Sequence, residues 1–158
     1  MEPWELIARE SIRDLVARYN ANGDTGRFDQ VVELFAPDAV MDVDGQLFNG
    51  RDEIRTIFTS AADTLRDRPG PLLLRHHTST LQIDVESETF ARGRCYYQVL
   101  MAHGLDHWGR YLDEFAPVDG KWLITHRREQ TDAAFAGGWG AGAAGGEAVA
   151  HLTRPLAF

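Results

Sequence analysis

The sequence predicts an α+β fold, a curved antiparallel sheet with N-terminal helices packed over one face, and three observations lead there. Helical periodicity dominates roughly the first 65 residues. Four long segments rich in β-branched and aromatic residues fill the stretch from 72 to 131. The breaks between those segments are short enough for hairpins, so consecutive strands pair antiparallel and the bent sheet encloses a cone.

Each element has its own signal. Ile12, Leu15, Val16 and Tyr19 recur at i, i+3, i+4 and i+7, one apolar stripe of a helix over residues 5–20. After the turn N-G-D-T-G, Phe28, Val31, Val32 and Phe35 repeat the spacing, giving a second short helix that Pro37 stops. Ala39 to Val43 and Gln46 to Phe48 flank Asp44-Gly45, which tolerates the positive φ of a two-residue hairpin turn. Asn49 is placed to cap a third helix, with Asp52 and Glu53 in its first turn and Ile54, Ile57, Phe58, Ala61 and Leu65 along one face. Pro69-Gly70-Pro71 breaks the chain. Strands follow at Leu72 to Val85, Thr89 to Met101, Trp108 to Pro117 and Lys121 to Thr131. Residues 1–135 thus form one domain, whereas the Gly/Ala-rich 136–158 holds too few bulky side chains for a core element and reads as a mobile tail or lid.

Bulk properties narrow the function. A chain of 158 residues with 44% hydrophobic content buries one core. The net charge is −8 and the 16 Lys and Arg residues are scattered, so neither nucleic acid nor an anionic membrane is the expected partner. The start M-E-P-W-E-L lacks the basic and apolar regions of a signal peptide, and no apolar run spans a bilayer, so a soluble, cytoplasmic protein is expected. The single Cys95 excludes an internal disulfide and reads as a small buried side chain. His103 and His107 flank a Gly-containing connection rather than sharing a helix face, so no metal site is assigned to them. There is no Walker loop, dinucleotide fingerprint, G-x-S-x-G elbow or H-E-x-x-H, and no cofactor is implied.

The remaining polar residues carry two readings each. In the strand from Leu72 only one of His76 and His77 faces the interior. His76, Thr78, Thr80 and Gln82 share one face, and His77, Ser79, Leu81 and Ile83 the other. The polar set serves a binding site if it faces a cavity and a hydrated surface if it faces solvent. Asp24 either shapes its glycine-flanked turn through backbone amides or does chemistry. Tyr19 closes a core stripe, with a hydroxyl that needs a partner once buried.

The ordered motifs A-R-E-S-I-R-D-L-V-A-R-Y, an Asp five residues after that Tyr, F-D-x-V-V-E-L-F-A-P-D-A-V, G-R-D-E-I, R-H-H-T-S-T-L-Q-I and D-G-K-W-L-I-T-H-R-R span residues 5 to about 131. Together they resemble the SnoaL-like branch of the NTF2-like superfamily, nearest in pattern to scytalone dehydratase, hexachlorocyclohexane dehydrochlorinase and bile-acid 7α-dehydratase. The resemblance implies a cone-shaped barrel with an internal pocket, assembly into dimers or trimers, and an Asp-His dyad. By position the dyad falls on Asp24 and His76, and a helix tyrosine on Tyr19. Other positions depart: a strand tyrosine is replaced at Val43, a second histidine maps near Leu100 with His103 its nearest candidate, and a late arginine maps near Thr131 rather than Arg127 or Arg128. The implied chemistry is a cofactor-independent, dehydratase-type elimination on a small hydrophobic cyclic or aromatic substrate, with no metal. His76 would act as general base, Asp24 as its partner, and Tyr19 as donor to the departing oxygen. Strand and helix positions suggest Phe48, Phe58, Tyr97, Trp108 and Tyr111 as walls. A ring isomerase or polyketide cyclase, and a non-catalytic ligand-binding domain, are the alternatives. A sheet face without helices also predicts a homo-oligomer.

Overall fold

The computed structural model describes residues 1–68, 70 and 73–143. Helix α1, Pro3–Gly23, begins with proline in its first turn, where the missing N–H costs no bond. It buries Ile12, Leu15, Val16 and Tyr19, the predicted stripe, together with Ala8, while Glu5–Arg9 and Asp14–Arg18 pair at i,i+4. Helix α2, Phe28–Val32, is shorter than its periodicity predicts, because Phe35 opens strand β1, Phe35–Val43. The Arg51 guanidinium donates to the Phe35 carbonyl at 2.6 Å, and Ile124 N–H donates to the Leu34 carbonyl at 2.9 Å. Long-range bonds thus override a local helical pattern. Pro37 does not end the helix. It lies in the register irregularity between Phe35 and Val40, where it has no ladder partner to lose.

Asp44 and Gly45, at φ 49° and 95°, join β1 to β2, Gln46–Asn49, in the predicted tight hairpin. Helix α3, Gly50–Arg66, enters by a different cap from the expected one. The Asn49 side chain caps no amide; instead Asn49 N–H donates to Glu53 Oε2 at 2.7 Å, a carboxylate reaching back to the helix start. Pro69 and Pro71 of the predicted break, and Leu72 at the start of the predicted strand, lie outside the described residues.

Strands β3, Leu74–Ser87, β4, Phe90–Met101, β5, Gly104–Val118, and β6, Lys121–Ala134, form the predicted antiparallel meander. The sequence did not predict the pairing of β1 with β6, which is parallel and completes a six-stranded sheet in the order β2-β1-β6-β5-β4-β3. The sheet curves without closing, since among the described residues β2 and β3 are its edges. Helices α1 and α3 lie over its concave side, where Phe35, Met41, Ile54, Ile83, Tyr97, Val99, Tyr111, Phe115 and Ile124 form the core. Cys95 is buried there, and burial pushes its thiol up to about 12.

Two β-bulges set which side chains face inward. In β3 the register shifts between Ser79 and Gln82, and Thr80 takes φ 55°. Leu74, His76 and Thr78 face inward before the bulge, and Leu81, Ile83 and Val85 after it. Thr80 and Gln82 therefore leave the polar set expected around His76 and face outward. In β5, Val99 pairs with His107 and Leu100 with Leu105, so Asp106 is the extra residue. Beyond β6 the chain was expected to hold no core element, yet Trp139–Ala143 form a short helix α4 with Ala141 buried. The rest of the predicted tail, 144–158, and its role as a lid, lie outside the described residues. No helix among the described residues is long and apolar enough to cross a membrane.

Candidate active site

A cavity of about 900 Å³ lies between the helices and the concave sheet. Its wall is formed by the end of α1, the face of α3, and inward residues of β1, β3, β5 and β6, and residues 138–140 close one side. Asp24 is the C-cap residue of α1 and borders this cavity, but its carboxylate serves neither turn nor helix. Arg27, not Asp24, precedes α2. Asp24 Oδ2 accepts the backbone N–H of His76 at 2.9 Å, and Oδ1 accepts the imidazole N–H of His76 Nδ1 at 2.6 Å. The two-point contact fixes both the position of β3 against α1 and the ring's tautomer, leaving Nε2 with its lone pair. The Asp24 side chain is 8% exposed and that of His76 21%, so the carboxylate is sheltered while the ring reaches the cavity.

Tyr19 borders the same cavity from α1. Its ring and that of Tyr111 enclose the Arg127 guanidinium at 4.0 and 4.3 Å. Arg127 is fully buried and forms a two-bond pair with Asp113 at 2.8 and 2.7 Å, so it braces the wall rather than lining it. Burial raises the Tyr19 phenol above its ordinary range, against the neighbouring Arg127, so the hydroxyl stays protonated and able to donate. Arg128 points elsewhere, toward Asp42 at 3.5 Å.

The expected walls divide. Phe58 and Tyr111 line the cavity; Phe48, Tyr97 and Trp108 do not. Phe48 sits half-buried on the edge strand β2 and packs on the core. Tyr97 points inward but stacks beneath Tyr111 at 4.6 Å, fully buried, with its hydroxyl 3.2 Å from Thr131 Oγ1. Trp108 follows the inward His107 on β5, and strand alternation turns it away.

Three cavity residues were not singled out by sequence. Asn20 lines the wall with a buried Oδ1 that has no partner. Glu129 enters from β6, and burial holds its carboxyl above the ordinary range, with Asp44 acting in the same direction and His76 and Arg127 opposing. His107 enters from β5 beside Asp106, whereas His103, the expected second histidine, stays 36% exposed outside the wall. The only sequence signal for Asp106 and His107 is adjacency, which in a regular strand places side chains on opposite faces. Among the described residues no group of three or more His, Cys, Asp or Glu side chains is placed to hold a metal ion.

The SnoaL-like domain model matches residues 4–128, and the chain belongs to that family. Its curved sheet and covering helices are the NTF2-like, cystatin-like fold. A Mycobacterium tuberculosis protein of unknown function is 27% identical over 82% of this chain and 74% of that one, with a TM-score of 0.71. A protein from Novosphingobium aromaticivorans, provisionally assigned as a scytalone dehydratase, is 23% identical over 83% and 88%, with a TM-score of 0.72. A LinA-type hexachlorocyclohexane dehydrochlorinase from Novosphingobium barchaimii is 15% identical over 84% and 91%, with a TM-score of 0.70. No curated protein matches the sequence.

Proposed function

We propose that the chain is a cofactor-independent lyase that removes water, or an equivalent leaving group, from a small hydrophobic cyclic or aromatic compound. The observation that carries this reading is the 2.6 Å contact from His76 Nδ1 to Asp24, with the ring at the wall of a largely apolar cavity. Nε2 takes a proton from a substrate carbon. The C–H electron pair becomes the new C=C bond, and the bond to the leaving oxygen or halogen breaks with its electrons. Asp24 stabilises the imidazolium as it forms, and Nδ1 stays fixed throughout. Tyr19 donates to the departing oxygen, and Glu129 borders the same cavity with its carboxyl held above the ordinary range by burial. No nucleophile is required.

The test is a panel of cyclic alcohols and halides incubated with the protein, with alkene formation followed spectroscopically. Asp24→Asn is expected to fold normally and to lower turnover by about tenfold or more, since it permits the wrong tautomer. Turnover unchanged in that variant removes Asp24 from the mechanism. Deuterium uptake from solvent without loss of a leaving group points to the isomerase or cyclase class instead. Ligand binding with no turnover at all leaves a non-catalytic binding domain.

A further inference from the structure

A second carboxylate–imidazole pair reaches the same cavity through its histidine, with the carboxylate buried behind it. Because Asp106 is the bulged residue of β5, its side chain and that of His107 turn to the same side, although they are consecutive in a strand. Asp106 is fully buried and His107 is 6% exposed. Asp106 Oδ1 accepts His107 Nδ1–H at 2.8 Å and Gly140 N–H at 2.7 Å, and Oδ2 accepts Trp139 N–H at 2.7 Å. His103 Nε2 stands 3.2 Å from Oδ2. These donors hold Asp106 below its ordinary range although burial alone would raise it.

An ionised carboxylate only accepts, so the proton of His107 sits on Nδ1 and the lone pair on Nε2. Burial favours the neutral ring, against the pull of Asp106. The ring lies 5.6 Å from that of Trp139 and 6.0 Å from that of Tyr97, and a Cβ on Gly140 would stand 2.5 Å from it. Glycine is therefore required at 140 for the chain to close against the imidazole. Among the described residues nothing bonds Nε2. A polarised, immobilised acceptor is thus built into a wall that also contains Phe58, Ile57 and Tyr111.

We propose that His107 Nε2 accepts a hydrogen bond from a ring hydroxyl of the substrate, so that the compound taken up is a phenol or enol as well as carrying the C–H that faces His76. A neutral O–H donor suits this site better than an anion, because the Asp24 and Asp44 carboxylates border the cavity alongside it. The inference rests on the cavity being the substrate site, but not on the elimination step.

The test is calorimetric titration with 2-naphthol and its methyl ether, 2-methoxynaphthalene, which differ only in the donor. The native protein is expected to bind the naphthol about tenfold or more tightly than the ether, since the ether leaves the buried acceptor unpaired. His107→Phe is expected to erase that preference and His76→Phe to keep it. Asp106→Asn, which leaves the ring in place but frees its tautomer, is expected to weaken the preference, and it decides the matter if His107→Phe does not fold. Failure of the native protein to prefer the naphthol overturns the inference. So does a preference that survives both His107→Phe and Asp106→Asn, or one lost in His76→Phe alone. Elimination turnover without a hydroxyl preference overturns this inference and leaves the lyase reading standing; a preference without turnover does the reverse.

Discussion

Asp24 occupies a turn rich in the residues that turns favour, yet both of its carboxylate oxygens are engaged by His76, 52 positions away. Local propensity explains why an aspartate is tolerated there, and the long-range contact explains what it holds. Glu129 shows the opposite balance, an acid whose surroundings resist its ionisation. In the folded protein it titrates above the roughly 4.3 expected of an unfolded chain, chiefly because it is buried. The unfolded chain therefore loses that proton at a lower pH than the folded one. Any stabilisation from Glu129 is fully present below the unfolded value and is lost as pH rises through the folded value. Glu129→Gln removes the ionisable group while keeping its shape. Thermal unfolding at pH 4 and pH 7 should show the variant gaining on the native protein at the higher pH. A gap that does not change between those conditions would mean that the carboxyl ionises freely in the cavity.

At the scale of elements, the two bulges decide where the chemistry-bearing side chains point. His76 and Ile83 are seven residues apart, and strict alternation would put them on opposite faces; both face inward because β3 bulges between them. Thr80 adopts φ 55°, which costs a β-branched residue roughly 1–2 kcal/mol. Thr80→Gly relieves that cost and loses some in unfolded-chain entropy, so urea unfolding should find it neutral or stabilised by up to about 1 kcal/mol. A loss of more than about 1 kcal/mol would mean that the Thr80 side chain itself holds the bulge. The bulges also mark the limit of what the sequence discloses. Periodicity located α1, the stripe of α3, the Asp44-Gly45 hairpin and four strands, and the resemblance pointed to Asp24 and His76, because these signals are local or carried by motif order. Phe35 reads as helical from local spacing because its strand partner Ile124 is far away in sequence. Nothing local announces the parallel β1–β6 pairing or the extra residue in β5. Asp106 and His107 therefore stay hidden as a pair, and Phe48, Tyr97 and Trp108 do not reach the wall that their positions suggest.

Over the whole molecule, the concave face of the sheet is covered by helices while, among the described residues, the outer face of β3, β4 and β5 is not. Along β4, Cys95, Tyr97 and Val99 point inward and Tyr96, Gln98 and Leu100 outward. Tyr96 is 45% exposed, Leu100 37% and Leu105, at the start of β5, 38%. Aromatic and branched side chains in the open on a strand face, interrupted here by Gln98, suit the centre of an interface. At about 3.3 Å per residue and about 4.8 Å between strands, three strands of this length offer roughly 600 Å². That face approaches the roughly 800 Å² per partner of a stable complex. We expect a homo-oligomer, a dimer or trimer, built on this face, with the cavities on the opposite side of each sheet left free. Light scattering at micromolar concentration should give a multiple of the 17.7 kDa chain mass, and Tyr96→Glu combined with Leu100→Glu should reduce it to the single-chain value. The double variant should keep its binding of small apolar ligands, because neither residue borders the cavity. A native protein that already scatters as a monomer would assign the exposed stripe to some other partner, and loss of ligand binding on dissociation would show that the cone needs its neighbour to hold its shape.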